Sequence, residues 1–396
     1  MEVWREVRLG DVCIINESSY SVKENWPFVN YLDTGNITDN KIDSIQYIDT
    51  KYEKLPSRAR RKVRRKSIIY STVRPNQRHF GIIKNQPDNF LVSTGFTVID
   101  AKSEVVDADF LYYLLTQASV VDRLHAIAEQ STSAYPSIKP SDLGNLMIFL
   151  PRLEIQKKIA GMLSYLDAKI VQNIEINKNL EELAQTYFDK LFIIDADIKW
   201  QKCTLSDLGM IVSGGTPSKS HPEYYAEEGI PWITPKDLAV NKSKFISHGV
   251  KDISELGYLK SSATKIPAGT VLFSSRAPIG YISIAQNEVT TNQGFKSIIP
   301  KKNIGTAYIY FLLKSLLPTI EGMASGSTFK EISGAGMKSV PTILPAKNIL
   351  EQFNNFCEPI FKKQEILEAE SRRLTALRDS LLPKLMSGEL DISSID

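Results

Sequence analysis

From Arg152 to Phe192 the chain keeps an unbroken helical rhythm, and that stretch constrains everything around it. Leu163, Ile170, Asn177, Ala184 and Leu191 fall at one heptad position, and Ile159, Leu166, Asn173, Leu180 and Tyr187 at the other. Apolar residues alternating three and four apart lay a stripe along one face of a helix, with Lys and Glu on the others. A helix of about forty residues is roughly 60 Å long, more than a globular domain needs. Such a rod must lie against another rod, and its place in mid-chain makes it a spacer between two bodies. An ordinary core helix is the simpler alternative; its usual length of about 8–20 residues argues against it.

A chain of 396 residues has room for two or three domains, each able to bury its own core. With 42% hydrophobic and 23% charged residues, the composition is that of an ordinary globular protein. No apolar run reaches the roughly 18 residues of a membrane span. Met1-Glu-Val-Trp-Arg5 lacks the apolar segment of a signal peptide, so a cytoplasmic location is expected. Cys13, Cys203 and Cys357 are far apart without Cys-x-x-Cys spacing, and are expected to be buried thiols. The formal net charge of +3 does not announce a nucleic-acid binder; any basic surface must come from local clustering.

An internal repeat sets the architecture. Trp4-x-x-Val7-x-Leu9-Gly10-Asp11 recurs as Trp200-x-x-Cys203-x-Leu205-Ser206-Asp207. Ser67-Ile-Ile-Tyr-Ser-Thr-Val-Arg-Pro75 recurs as Thr270-Val-Leu-Phe-Ser-Ser-Arg-Ala-Pro278, each a β-rich run ending in a Pro-containing turn. Thr94-Gly95-Phe96 answers Gln293-Gly294-Phe295. Phe110–Leu115 answers Tyr308–Leu313, a short amphipathic helix in both copies, and Leu150-Pro151 answers Leu344-Pro345. Landmarks keep their order while the sequence between them diverges. Two related domains therefore share a scaffold and differ in what they touch.

A second rod follows the second domain. Phe353, Ile360, Leu367, Leu374 and Leu381 fall at one heptad position, and Phe356, Lys363, Glu370, Leu377 and Lys384 at the other. Pro359 is expected to kink or restart this helix and Pro383 to end or bend its last turn. Each rod has a polar middle, Asn173 and Asn177 in one, Lys363 and Glu370 in the other; polar seam residues that meet can fix register. An antiparallel pair is expected, held by Leu163, Leu166, Ile170, Leu180 and Tyr187 against Ile360, Leu367, Leu374, Leu377 and Leu381.

With its two divergent domains, each followed by a Leu-Pro boundary and a long helix, the chain resembles the specificity subunit of a type I restriction–modification system. The resemblance is carried by Trp4 to Asp11, Leu150-Pro151 with Glu154-Ile-Gln156, Ile230-Pro-Trp-Ile-Thr-Pro235, Leu272 to Gly280, Thr291-Asn-Gln-Gly-Phe295, Gly326-Ser-Thr-Phe329 and Arg378 to Leu385, and covers essentially the whole chain. It implies an α+β fold: two repeated α/β target-recognition domains separated by two long helices that pair as an antiparallel coiled coil with pseudo-two-fold symmetry. The corresponding division is residues 1–151, first recognition domain; 152–196, first spacer helix; 197–345, second domain; 346–396, second helix and tail. The resemblance implies that each domain reads one half of a split target in double-stranded DNA and that the helices set the distance between the halves. It further implies methyltransferase subunits and a translocase–nuclease subunit as partners, with S-adenosylmethionine, ATP and Mg2+ bound by them and no cofactor by this chain. The assembled complex would then methylate adenine and cut DNA. Inserting one heptad at matched points in both helices is expected to lengthen the unspecified spacer by roughly three base pairs, since a heptad adds about 10 Å of helix and a base pair about 3.4 Å. Methylation mapping would check this, and a change in either half-site would refute the division into readers and ruler. A standalone DNA-binding protein and a coiled-coil scaffold that ignores DNA are the alternatives.

The residues offer support of their own for DNA. Arg58, Arg60, Arg61, Lys62, Arg64, Arg65 and Lys66 crowd into an otherwise balanced segment. Such a run gains affinity by releasing counterions from phosphates but cannot by itself read bases; a solvated cationic face is the plain alternative. Base readout needs forked donors and amides on loops that reach a groove. Candidates are Arg74, Asn76, Gln77 and Arg78 in the first domain and Arg276, Asn292 and Gln293 in the second, any of which can instead serve its own loop. Val73-Arg74-Pro75 stands where the second copy has Arg276-Ala277-Pro278, which leaves open whether the two arginines share a role. Polar loops before each Leu-Pro boundary, with Ser133 and Tyr135 in one and Ser327, Thr328 and Lys330 in the other, suit contacts to phosphate and sugar. Lys236 and Lys219 add dispersed cations in the second domain; Lys219 closes the glycine turn Ser213–Lys219, which lacks the Gly-Lys-Ser/Thr ending of a P-loop and reads first as turn chemistry.

Fragments that imitate catalytic motifs do not assemble into one. Ser327-Thr-Phe-Lys330 matches Ser-x-x-Lys, but the accompanying Ser-Asp-Asn and Lys-Thr-Gly are absent. Asn25-Trp-Pro-Phe28 departs from Asn-Pro-Pro-Tyr at Trp26 and has no glycine-rich cofactor loop beside it. His79, His125, His221 and His248 lack metal-ligand spacing, and Asp39-x-Lys41 and Asp49-x-Lys51 supply only half of a nuclease motif. A non-catalytic subunit with no metal site is expected.

Overall fold

The computed structural model describes residues 4–131, 135–326, 330–390 and 392. The chain divides into two compact units, residues 1–170 with 373–396, and residues 171–372. The boundary cuts through both long helices, so each unit holds one domain together with a piece of each rod.

In the first unit, the strand Arg5–Arg8 pairs antiparallel with Met147–Leu150, closing the domain start against end. A helical turn, Leu9–Val12, then drives Leu9 and Val12 into the core. One four-stranded sheet runs Cys13–Ile15, Phe96–Ala101, Ile68–Ser71, Phe80–Ile82, with every neighbour antiparallel. A second runs Gln46–Asp49, Phe28–Leu32, Phe90–Ser93, Ala59–Lys62, with its central pair parallel. Continuous burial of Ile68–Ser71 and Phe90–Ser93 explains why these stretches carry apolar runs instead of alternation. Asp107 caps the helix Ala108–Leu115 by accepting from the Phe110 amide at 2.9 Å.

The second unit repeats this plan. Gln201–Thr204 pairs with Pro341–Leu344, and the turn Leu205–Leu208 follows. A five-stranded sheet is ordered Gly209–Ser213, Lys296–Pro300, Val271–Ser275, Ile279–Ala285, Phe245–Ile246. Its companion is ordered Tyr225–Ala226, Lys251–Ile253, Ile230–Ile233, Thr290–Thr291, again with a parallel pair. The helix Thr306–Met323 replaces the two helices Ala108–Leu115 and Ala118–Glu129 of the first copy. The repeated helix was expected to be amphipathic. In both copies it is sheathed instead: Phe110 to Leu115 and Tyr308 to Leu313 are all buried. Phe188 of the first long helix, Phe192 of the turn just after it and Phe353 of the second long helix close on Tyr308 and Phe311, with ring centroids 4.8–5.9 Å apart. Cys13 and Cys357 are buried, their thiols pushed up to about 12 chiefly by burial. Cys203, expected buried, is only half-buried at the start of its domain.

The first long helix runs Leu153–Asp189 and passes into a π-helical turn, Lys190–Ile194. Ile159, Leu163 and Asn173 are buried along it, with Leu166, Ile170, Leu180 and Tyr187 half-buried, as the heptads require. The second runs Lys347–Ser387 without a break. Neither proline interrupts it. Pro359 and Asn355, and likewise Pro383 and Asp379, lie on the exposed side, so each carbonyl freed by a missing N–H is left toward water.

Phe353, Ile360 and Leu367 are buried and Leu374 and Leu381 half-buried, matching one predicted line. The companion line lies one residue further on than predicted. Cys357, Gln364 and Leu385 are buried, whereas Lys363 and Lys384 are exposed and Leu377 is 46% exposed, so Leu377 is not a pairing residue. Two polar members of this line are held by partners: Gln364 donates to the Asn177 carbonyl at 3.1 Å, and Arg378 meets Asp167 at 2.8 Å. Within the second unit the pairing is antiparallel. Asn173 donates to Glu370 at 3.0 Å, and the Gln352 amide to the Tyr187 hydroxyl at 2.6 Å, so numbers rise along one helix as they fall along the other. Among the described residues, no helix is long and apolar enough to cross a membrane.

Candidate nucleic-acid interface

The loop that leaves the strand Ile68–Ser71 is stitched to the polar loop before the Leu-Pro boundary. Thr72 donates its amide to Gly95 at 2.9 Å and accepts from the Ile138 amide at 2.8 Å; the Arg74 amide donates to Pro136 at 2.9 Å. Two loops more than 60 residues apart in sequence thus form one junction, which no local pattern announces. Buried Pro75 anchors a 3-10 turn on which Asn76 and Gln77 are exposed. Arg74, at φ 48°, sets its guanidinium over the Tyr135 ring, 5.1 Å from the centroid. Arg78 is committed to its own domain: Nε meets Asp39 at 2.5 Å and the guanidinium covers Phe80 at 5.1 Å. Of the four candidates in this turn, Arg74, Asn76 and Gln77 remain presented to solvent. Ser133 lies outside the described residues.

The second domain builds the same junction. Ser275 donates its amide to Gly294 at 2.7 Å and accepts from the Ile332 amide at 3.1 Å. The bonds place Thr72 with Ser275, Gly95 with Gly294 and Ile138 with Ile332. Val73 then corresponds to Arg276, and Arg74 to Ala277, whose φ values of 48° and 51° agree. The arginines of the two copies therefore occupy adjacent, unlike positions. Arg276 Nη1 meets Glu331 at 3.2 Å, and Lys296 Nζ lies 3.9 Å from the same carboxylate. Asn292 uses its side-chain oxygen to accept the Gly294 amide at 2.9 Å and serves its own turn; Gln293 is exposed. Lys219, Lys236 and Lys330 are exposed, and Ser327 and Thr328 lie outside the described residues. Gly214 and Gly215 of the glycine turn pack on the chain at Thr291-Asn292 and Ser262-Ala263, where a Cβ would come within 2.2 and 2.3 Å of backbone atoms. That loop is turn chemistry.

The basic run is two populations. Lys62 pairs with Glu24 and lies 5.2 Å above the Trp26 ring; Arg64 meets Asp100 at 3.1 Å and Glu17 at 3.2 Å; Lys66 meets Asp109 at 2.9 Å. Arg61 is half-buried and reaches Ser19 at 3.4 Å. Among the described residues no ion pair involves Arg58, Arg60 or Arg65. The sequence shows the crowd but not this sorting, because Glu17, Glu24, Asp100 and Asp109 come from elsewhere in the fold. Glu331 and Lys296 were missed for a similar reason. The aligned repeats hold Ser137 and Thr97 at their places, and that pair of differences was the available signal. Among the described residues no cluster of three His, Cys, Asp or Glu side chains could hold a metal.

Residues 1–182 and 197–376 each match the model of the type I restriction modification DNA specificity domain. The type I restriction enzyme HindI specificity subunit of Haemophilus influenzae is 27% identical, over 98% of this chain and 100% of that protein. The MjaIX specificity subunit of Methanocaldococcus jannaschii is 39% identical over 43% of this chain and 41% of its own length. A crystal structure of a type I restriction–modification S subunit from M. genitalium shares the fold, with TM-score 0.63 at 19% identity, covering 97% of this chain and 96% of that one.

Proposed function

Since this chain belongs to the type I restriction–modification DNA specificity family, we propose that each of its two domains reads one half of a split DNA target on behalf of methyltransferase and translocase–nuclease partner subunits. The observation that carries this is the recurring junction. The same backbone bonds from Thr72 and Ser275 hold two loops together in both copies, while the side chains set on them differ. A constant scaffold with a changed surface is what two readers of unlike sequences require. S-adenosylmethionine, ATP and Mg2+ belong on the partner subunits; this chain supplies address and not chemistry.

Purified alone, the chain is expected neither to methylate nor to cut DNA when given S-adenosylmethionine or ATP. Mixed with its cognate methyltransferase subunit it should direct adenine methylation to a split target. Exchanging residues 1–150 for the first domain of another member should change one half of that target and leave the other half alone. Methylation by the isolated chain, shown free of contaminating methyltransferase, would overturn the non-catalytic assignment.

A further inference from the structure

At three positions that meet around one point of the repeated scaffold, the two domains differ together. Arg276 occupies the place of Val73, Lys296 that of Thr97, and Glu331 that of Ser137. The correspondence rests on register as well as alignment: Phe96 pairs with Ser71 as Phe295 pairs with Ser274, and Ile99 pairs with Ile68 as Ile298 pairs with Val271. Val73 bridges Ser137 as Arg276 bridges Glu331. A neutral trio in one copy is an ionic trio in the other. The Arg276 and Glu331 side chains are 36% and 35% exposed, so their ion pair adds little stability. Its effect is orientation. Glu331 engages Nη1, and a guanidinium carries five N–H donors in a fixed fork, which leaves a two-donor edge for a ligand. Lys296 is only 10% exposed, and its ammonium also lies 3.4 Å from the Gln293 and Phe295 carbonyls. It lies beside Glu331 and is itself largely enclosed, which leaves Arg276 as the more accessible cation of the trio.

We propose that Arg276 reads a guanine in the second half-site, with Glu331 as the positioning residue that aims it, and that Val73, at the same place in the first domain, presents an apolar surface to a thymine methyl instead. This rests on the two domains being the readers. A bidentate pair of an arginine with guanine O6 and N7 is the contact that a fork supports and a single ammonium does not. Val73 is 39% exposed, so its side chain is open to such a contact.

The test uses the full chain assembled with its methyltransferase subunits, selecting from DNA randomised across both half-sites. Arg276→Lys keeps the charge and removes the fork. It should lose about 5- to 150-fold in preference for guanine at one base pair of the second half-site, the equivalent of about 1–3 kcal/mol, with the first half-site and the salt dependence unchanged. Glu331→Gln should weaken discrimination at that same base pair and no other, and should add nothing once Arg276 is lysine. Val73→Arg should alter selection at one base pair of the first half-site. An equal loss on every sequence would make Arg276 a phosphate contact and overturn the proposal, as would selection unchanged by Arg276→Lys. Absence of selection by the unmodified complex would instead overturn the assignment of the domains as readers.

Discussion

Replacing Glu181 by alanine is expected to destabilise the second compact unit by about 3–5 kcal/mol, the cost of leaving a buried cation without its counter-charge. Lys244 is that cation. Its side chain is 5% exposed, pairs with Glu181, donates to Gln364 at 2.7 Å and lies over the Phe361 and Tyr310 rings at 4.0 and 4.6 Å. Glu181 also takes Lys314 at 2.7 Å and the Tyr310 hydroxyl at 3.1 Å. One carboxylate thus fastens the residue before strand Phe245–Ile246 and the helix Thr306–Met323 to the first long helix, and Gln364 adds the second. Burial alone would raise the Glu181 carboxyl, but Lys244 and Lys314 outweigh it and hold it below the ordinary glutamate value. A carboxyl lowered in the folded state contributes stability above its unfolded value and loses it as pH falls through its folded value. Urea unfolding at several pH values should therefore show the alanine variant much less stable near neutrality, with a flatter loss on the acid side. Replacing both partners, as in Lys244→Met with Glu181→Leu, should cost less than the single change, because apolar pairs replace buried ion pairs at little net cost. A single-variant loss below about 1 kcal/mol would mean that solvent screens the pair as it does at a surface.

This cluster also marks where the sequence stops being legible. The first rod was plain because Ile159, Leu163 and their successors repeat an apolar residue every three or four positions. The companion line of the second rod was displaced by one residue because it includes buried Gln364 and half-buried Arg378, whose enclosure depends on Lys244, Asn177 and Asp167 and not on their own hydrophobicity. Pro359 and Pro383 read as breaks because sequence alone does not say that their freed carbonyls face water. The two domains were visible as ordered landmarks, and the landmark pairs Thr72 with Gly95 and Ser275 with Gly294 turned out to be bonded pairs. What landmarks could not convey was that a third stretch, around Ile138 and Ile332, closes on the same point. Local composition has no record of a contact across some 60 residues, and hence none of the trio that distinguishes the second domain.

Neutralising Arg58, Arg60 and Arg65 together should flatten the salt dependence of DNA binding and leave sequence preference intact. Among the described residues none of the three enters an ion pair, and Arg61, also without one, is half-buried and held at Ser19, so the charge of these three is the part of the run available to phosphates. Each phosphate contact contributes about 0.9 to the slope of log affinity against log salt, and three would contribute about 2.7. Between 50 and 200 mM salt the unmodified complex should then lose roughly 40-fold more affinity than the triple variant. Arg64→Gln makes the contrast. Arg64 Nε donates to Asp100, a 5% exposed residue that also accepts from the Ser67 hydroxyl at 2.6 Å. Its loss should lower the unfolding midpoint of the first unit and change the salt slope little, because its charge is already spoken for by Asp100 and Glu17. Gel-shift titrations at four salt concentrations, with unfolding curves for the same proteins, separate the two effects. An unchanged slope in the triple variant would place the run against a protein partner or open solvent, and leave the junction loops, with Val73, Arg74, Asn76, Gln77 and Tyr135 among the described residues, as the first domain's candidates for DNA.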